Sequence, residues 1–157
     1  MSNERSIGWK TCAFSELDAR TWHDIVKLRI DVFVVEQNCP YPELDGLDLD
    51  ALHVIGFDTQ QRPVAYCRIL PPQQDGLPHI GRVVVDNAHR RSGLGKQLML
   101  EALRSVKHQF GSPRSALAAQ AYLQRFYEGF GYRVSSDVYP WDGIPHIDMV
   151  RGESDLT

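Results

Sequence analysis

The sequence has few cysteines, no long apolar run and no excess of positive charge, and each shortage excludes a class of protein. Its three cysteines, Cys12, Cys39 and Cys67, stand far apart and form no C-x-x-C pair. Neither a disulfide framework nor a cysteine zinc site is therefore expected, and scattered free thiols suit a reducing cytoplasm. No apolar stretch approaches the roughly 20 residues that a membrane-spanning helix needs. The first ten residues also lack the apolar segment of a secretory signal, so we expect a cytoplasmic protein without a membrane partner.

Charge and length narrow the remaining classes. A net charge of −3 over 157 residues argues against nucleic-acid binding, which usually requires a basic excess. The apolar content of 43% and the charged content of 24% are ordinary for a globular protein. The length predicts one domain. We place it at residues 7–151, between short flexible termini at 1–6 and 152–157.

Strand and helix signals follow one another along the chain. Strand patterns occupy residues 7–14, 52–57, 64–70, 80–86 and 115–120, and two further strands are predicted within 132–151 around "PWDGIP". Helical periodicity covers residues 16–35, with Ser15 as its N-cap, then 93–110 and 121–131. The acidic segment "EQNCPYPELDGLDLD" is read as a loop. This order predicts a mixed sheet with helices on both faces.

A glycine-containing loop precedes the second long helix. It consists of Arg90, Arg91, Ser92, Gly93, Leu94, Gly95 and Lys96. Free N–H groups at a helix start favour an anion, and glycine lets a ligand approach the backbone closely. Gln97 stands where a nucleotide P-loop needs Ser or Thr, and Leu98 stands where a dinucleotide fingerprint needs its third glycine. The loop therefore predicts a phosphate site of another kind, or simply a helix start with solvated cations.

A strand pattern precedes this loop in the sequence, and a helix that carries a tyrosine follows further along the chain. The stretch "VVVDNAHRRSGLGKQLM" places R-x-x-G-x-G after a strand, and "FYEGFGY" carries Tyr127 on the last helix. In the element order given above, these features resemble the GNAT superfamily of acyl-CoA-dependent N-acetyltransferases. The stretches "FVVEQNCPY", "GRVVV", "AQAYLQRFYEGFGY" and "DGIPHI" are similar to its ElaA-like branch. The resemblance runs over nearly the whole chain.

The resemblance implies a fold and a co-substrate. The fold is α/β (α+β), a GNAT-type mixed, mostly antiparallel, splayed β-sheet flanked by helices on both faces. The acyl donor is acetyl-CoA, and no metal is implied. Backbone N–H groups from Arg91 to Lys96, beside Arg90, would hold the pyrophosphate, while the main chain of Val83 and Val85 would contact pantetheine. The side chains of Leu94 and Leu98 would face the core instead.

Acetyl transfer to an amine requires an acid for the leaving thiolate and a base for the attacking nitrogen. Tyr127 stands where the family places its general acid, and a phenol with a pKa of about 10 is protonated at neutral pH; a core tyrosine is the alternative interpretation. Many relatives carry a carboxylate on the strand before the loop, but this chain has Arg82 there, which cannot act as a base. Glu36, His53 and His146 are the remaining candidates for the base.

Two arginines interrupt apolar strand patterns. Arg68 lies in "AYCRIL" and Arg82 in "IGRVVV", and a buried arginine needs a partner. One interpretation is an ion pair with a carboxylate of the acidic loop. The other is binding of a carboxylate on the acceptor, on a side that we expect His53 and Gln120 to share. Alternation puts Arg82 and Val84 on one face of the strand and Val83 and Val85 on the other.

We therefore expect an enzyme that moves an acetyl group from acetyl-CoA to a primary amine by direct transfer in a ternary complex. The acceptor is a small molecule or a peptide, which the sequence does not identify. Strands near the C-terminus could pair in a homodimer. The alternative function is a non-catalytic sensor module that binds acyl-CoA without turnover.

Overall fold

The structure is a computed structural model, and it describes residues 6–152. These residues are organised around one sheet of eight strands. The strands are β1 Gly8–Ala13, β2 Leu52–Phe57, β3 Pro63–Leu70, β4 His79–Val85, β5 Ser115–Gln120, β6 Tyr132–Val134, β7 Tyr139–Trp141 and β8 Ile144–Arg151. Their order is β1-β2-β3-β4-β5-β8-β6, with β7 paired to β8. The predicted flexible termini lie outside the described residues, apart from Ser6 and Gly152.

In the described part of the chain, three α-helices flank the sheet. They are α1 Ala19–Ile30, α2 Leu94–Phe110 and α3 Gln124–Glu128, and α1 continues into a π-helical turn at Asp31–Glu36. Asp18 caps α1, because its side chain accepts from the Thr21 N–H at 2.7 Å. The predicted Ser15 cap is therefore wrong: Ser15 lies inside the 3₁₀ turn Phe14–Glu16, which precedes the helix.

The two faces of the sheet bury separate cores. The α2 side packs residues that include Leu94 and Leu98, both buried as predicted, and Val83 and Val85 lie against this core. Val84 packs instead with the α1 side. The alternation predicted for these valines is therefore confirmed. The predicted mixed sheet with helices on both faces is confirmed as well.

The C-terminal segment forms three strands where two were predicted. β8 pairs with β7 along its first residues and with β6 along its last ones. Asp142 and Gly143 turn the chain between β7 and β8 with φ of 50° and 78°, the positive values that a tight hairpin needs. The extra strand arises because eight-residue β8 is long enough to pair with two short ones.

The middle of the sheet is open. β4 and β5 run parallel and pair at a single position, His79 with Ala116, after which their facing edges separate. Every other neighbouring pair is antiparallel. On its other edge β4 has a shifted register opposite β3, and Arg82 within this bulge takes a φ of 52°. The bulge bends β4 where the gap begins.

Candidate functional site: the gap between β4 and β5

The loop before α2 lies at the C-terminal end of β4, beside the gap. Arg91 and Gly93 have positive φ of 67° and 81°. After Arg90, the next backbone N–H that finds an acceptor within the described part of the chain is that of Gln97, which donates to Gly93 O at 3.1 Å. The backbone N–H groups of residues 91–96 thus have no acceptor among the described residues. Such a row of N–H groups at a helix start forms an anion-binding site.

The two glycines of this loop have different roles. Gly93 is required for its left-handed backbone conformation and not for lack of space, because a Cβ there would meet no atom within 4 Å. Gly95 is inside α2, and a Cβ there would lie 3.8 Å from Phe126 and 3.9 Å from Val85, which is ordinary contact. Gly93 therefore shapes the turn, whereas Gly95 leaves the helix start uncovered.

Arg90 ties this loop to the end of the π-helical turn. Its guanidinium contacts both carboxylate oxygens of Glu36, at 2.5 and 3.0 Å, and its Nε donates to Val85 O at 3.2 Å. The next residue, Gln37, accepts from the Gln120 amide at 3.3 Å. Residues 36 and 37 therefore bridge the mouth of the gap, from the β4 side to the β5 side.

Tyr127 lies on α3, which packs beside β5. Its side chain belongs to the same buried core as Cys67 of β3 and Leu117 of β5. Burial raises the pKa of Tyr127, which keeps the phenol protonated. Its hydroxyl has no hydrogen-bond partner within residues 6–152, whereas the neighbouring Tyr132 hydroxyl is bonded to Ser115 Oγ at 2.6 Å.

His146 and Gln120 are cross-strand partners at the open end of β5. His146 Nδ1 lies 2.7 Å from Ile144 O. A carbonyl only accepts, so Nδ1 carries a proton and the neutral ring keeps its lone pair on Nε2. The rings of Tyr139 and Trp141 hold the imidazole, with centroids 6.2 and 5.3 Å away.

His53 is fully buried. Its Nε2 lies 2.9 Å from Asp48 O, and its Nδ1 lies 2.6 Å from the Tyr66 hydroxyl. Because a carbonyl only accepts, Nε2 is the protonated nitrogen, and Nδ1 of the neutral ring accepts from Tyr66. Burial lowers the pKa of His53. Both ring nitrogens are therefore occupied inside the protein.

Both strand arginines contact carboxylates of the acidic loop, and the ion-pair interpretation is thus confirmed. Arg68 lies 2.7 Å from Asp45 and 3.0 Å from Asp48. Arg82 lies 3.4 Å from Asp45, and its Nε lies 2.9 Å from Glu43 without hydrogen-bond alignment.

Arg29 of α1 contacts two of the same carboxylates, Glu43 and, at 2.8 Å, Asp48. The network made by these three arginines and three carboxylates anchors the acidic loop to α1 and to the sheet. The negative charges of Glu43, Asp45 and Asp48 are compensated within the protein. They add little to any attraction of a cationic acceptor to the gap.

Two features that would indicate other classes of protein are missing from residues 6–152. This part of the chain contains no group of three or more His, Cys, Asp or Glu side chains that could hold a metal ion. It also contains no helix long and apolar enough to cross a membrane. The cytoplasmic location and the homodimer stay predictions.

An open parallel strand pair beside a helix start with unpaired N–H groups agrees with the family that comparison with known proteins identifies. The Acetyltransferase (GNAT) domain matches residues 24–152, and the chain belongs to this family of acyltransferases. It is 44% identical to the protein ElaA of Escherichia coli over 148 residues, which are 92% of this chain and 96% of ElaA. The resemblance to the ElaA-like branch is confirmed.

Solved structures agree with this assignment. An acyl-CoA N-acyltransferase from Pseudomonas aeruginosa has a TM-score of 0.89 at 40% identity, covering 94% of this chain and all of the other. The crystal structure of Escherichia coli ElaA has a TM-score of 0.86 at 42% identity, with 93% and 99% covered. An aminoglycoside 6'-N-acetyltransferase complexed with coenzyme A shares the fold alone, with a TM-score of 0.66 at 16% identity and 90% and 96% covered.

Proposed function

We propose that this protein is an acetyl-CoA-dependent N-acetyltransferase that transfers the acetyl group directly to a primary amine within a ternary complex. The observation that carries the proposal is the gap between β4 and β5, which ends beside unpaired N–H groups at the start of α2. An open strand edge suits an extended amide-containing chain, and the helix start suits a diphosphate. Acetyl-CoA has both parts, the amides of its pantetheine arm and its diphosphate.

The donor would lie along β4. Main-chain groups of Val83 and Val85 would contact pantetheine, and the N–H groups of residues 91–96 would bind the pyrophosphate. The side chains of Arg91, Ser92 and Lys96 are exposed at this position and add positive charge and a hydroxyl. The Arg90 side chain already forms hydrogen bonds to Val85 O and to Glu36. Binding of acetyl-CoA would therefore displace at least the hydrogen bond from Arg90 to Val85 O.

Tyr127 is the proposed general acid. The amine nitrogen attacks the thioester carbonyl carbon, the carbon–sulfur bond breaks, and the sulfur takes the phenolic proton. The support is a protonated hydroxyl that makes no hydrogen bond to any residue in 6–152. A leaving thiolate is the acceptor that this hydroxyl lacks.

His146 is the proposed general base. Its Nε2 carries a free lone pair once Nδ1 is committed to Ile144 O, and it would take the ammonium proton directly or through a water molecule. Glu36 is bound on both oxygens by Arg90, which weakens it as a base, so we assign it to positioning the loop. Gln120 lies opposite His146 and would contact the acceptor, whereas Arg68, Arg82 and His53 are engaged within the protein.

Thiol release from acetyl-CoA, measured with a panel of primary amines, tests the proposal, together with titration of acetyl-CoA into the protein. We expect saturable binding and amine-dependent thiol release. Binding without release by any amine would favour the sensor module instead. Failure to bind acetyl-CoA would contradict both functions, because each requires the same site.

A further inference from the structure

A second open surface lies beside the gap, on the face of β5 and β8 opposite α2. The core under α1 contains residues of β1 to β4 and none of β5 or β8, so α1 leaves this face uncovered. Two cross-strand pairs line it, Ala118 with Asp148 and Gln120 with His146. We call this surface the acceptor trough; Tyr139 and Trp141 border it through their contacts with His146.

Asp148 is the negative charge of this trough. Its Oδ1 accepts from the Tyr139 hydroxyl at 2.5 Å, and its backbone N–H donates to Ser136 Oγ at 2.9 Å. The side chain is partly buried, yet no cation lies within salt-bridge distance among the described residues. The acidic-loop carboxylates, in contrast, are neutralised by arginine. Asp148 is thus oriented by a phenol and forms no ion pair with a residue in 6–152.

The route from the gap to Asp148 crosses β5. Ala118 lies on that route, opposite Asp148. It is exposed, and its small methyl side chain leaves room for a ligand to cross the strand. Neighbouring strands lie about 4.8 Å apart, so Asp148 is one strand spacing further from the gap than Ala118. His146 is two residues from Asp148 on the same face, or roughly 7 Å along the strand. An aliphatic chain of a few carbons spans these distances.

We propose that the acceptor trough holds an aliphatic amine that carries a second positive charge, and that Asp148 binds this second charge. The inference rests on the proposed function. The nitrogen that attacks must lose its proton, and a carboxylate in contact with it would keep it protonated. Asp148, one strand beyond the gap, therefore suits the nitrogen that does not react.

The charge of Asp148 can be tested with two acceptors that differ by one ammonium group, n-butylamine and 1,4-diaminobutane. We expect the wild-type enzyme to prefer the diamine. Asp148→Asn keeps the oxygen that Tyr139 contacts but removes the charge. It should raise KM for the diamine by about ten- to a hundredfold, the usual effect of a lost hydrogen bond to a charged group. Its kcat and the KM for n-butylamine should change little.

Two further variants separate charge from structure. Asp137→Asn removes an exposed carboxylate from the neighbouring loop and should leave both acceptors unaffected. Ala118→Leu covers the crossing point without altering any charge, and it should raise KM for the diamine more than for n-butylamine. Thermal unfolding of each variant checks that the fold is retained.

Direct titration of 1,4-diaminobutane into the CoA-loaded protein does not depend on turnover. We expect binding by the wild-type protein that Asp148→Asn weakens by a similar factor. Any of three results would overturn the inference. The wild-type enzyme could show the same KM for both amines, the diamine could fail to bind, or Asp148→Asn could match the wild type in KM and affinity for the diamine. Each of these results is compatible with transfer to simple amines. Absence of acetyl-CoA binding would instead contradict the proposed function itself.

Discussion

At the scale of single residues, two neighbouring tyrosines differ in what their hydroxyls contact. The rings of Tyr127 and Tyr132 lie 6.2 Å apart in the same core, and burial raises the pKa of both, that of Tyr132 to about 12. The Tyr132 hydroxyl is bonded to Ser115, whereas that of Tyr127 has no partner in residues 6–152. One tyrosine therefore contributes to stability and the other is available for chemistry.

The pair provides a matched test. Tyr127→Phe should lower kcat by about 10² to 10⁴, the usual contribution of a general acid. It should not reduce stability, because no hydrogen bond among residues 6–152 is removed. Tyr132→Phe should lower the unfolding free energy by about 1 kcal/mol and keep kcat. Steady-state kinetics and denaturant unfolding measure both. Equal kcat for Tyr127→Phe and wild type would exclude the acid role.

At the scale of elements, the start of α2 combines a required glycine with a tolerant one. Gly93 has a φ of 81°, which costs another residue about 1 to 2 kcal/mol. Gly95 lies in helical backbone with room for a Cβ. The loop therefore depends on Gly93 for its shape, and on Gly95 only for access to the backbone.

Alanine substitutions should separate these roles. Gly93→Ala is expected to lower the unfolding free energy by about 1 kcal/mol or more and to weaken acetyl-CoA binding, because the N–H groups turn away. Gly95→Ala should leave stability equal or slightly higher. Thermal unfolding and acetyl-CoA titration measure the two effects. A Gly93→Ala variant with wild-type stability and affinity would contradict this account of the loop.

At the scale of the whole molecule, a buried polar layer joins α1, the acidic loop and the sheet. Arg29, Arg68 and Arg82 compensate the carboxylates of the loop, and the hydrogen bond from Arg68 is the main cause that lowers the pKa of Asp45. His53 lies at the edge of this layer, where burial lowers its pKa. Stability should therefore depend on pH in two separate ranges.

The first range belongs to His53. As pH falls below about 6.5, the unfolded chain takes up a proton that the folded protein resists, so stability decreases by at most about 1.4 kcal/mol per pH unit. His53→Gln should flatten the dependence of unfolding free energy between pH 7 and 5, at some cost in stability at pH 7. The exposed His23, changed to Gln, is the control and should leave the slope unchanged. An unaltered slope in His53→Gln would assign the dependence to other groups.

The second range belongs to Asp45. Its pKa in the folded protein is below the ordinary value of 3.8, so its ion pair with Arg68 stabilises the protein above that pH. This contribution is lost as pH falls through the lower, folded pKa. Asp45→Asn should reduce the loss of stability below pH 4 and lower stability at pH 7. Denaturant unfolding across that range measures both.

Local signals in the sequence were sufficient for much of the fold and for locating the loop before α2. The predicted bounds of β2 and β5 agree with the structure, and the loop before α2 was recognised from its own seven residues. Turn residues, capping residues and hydrophobic periodicity act over a few positions along the chain. These short-range signals can therefore be read from a single sequence. The same signals failed at two places. Ser15 and Asp18 are both possible N-cap residues only three positions apart, and β8 pairs with two short strands where one was predicted.

The acceptor side was decided by the tertiary structure. Glu36 meets Arg90 across 54 positions and Gln37 meets Gln120 across 83, and no local pattern encodes such pairs. Asp148 was not identified from the sequence, although alternation along β8 places it on the face of His146; what makes it notable is the lack of a cation around it. The sequence by itself determines which chemical groups are present and their order along the chain. Which charges are compensated, and where the sheet opens, depend on residues that only folding brings together.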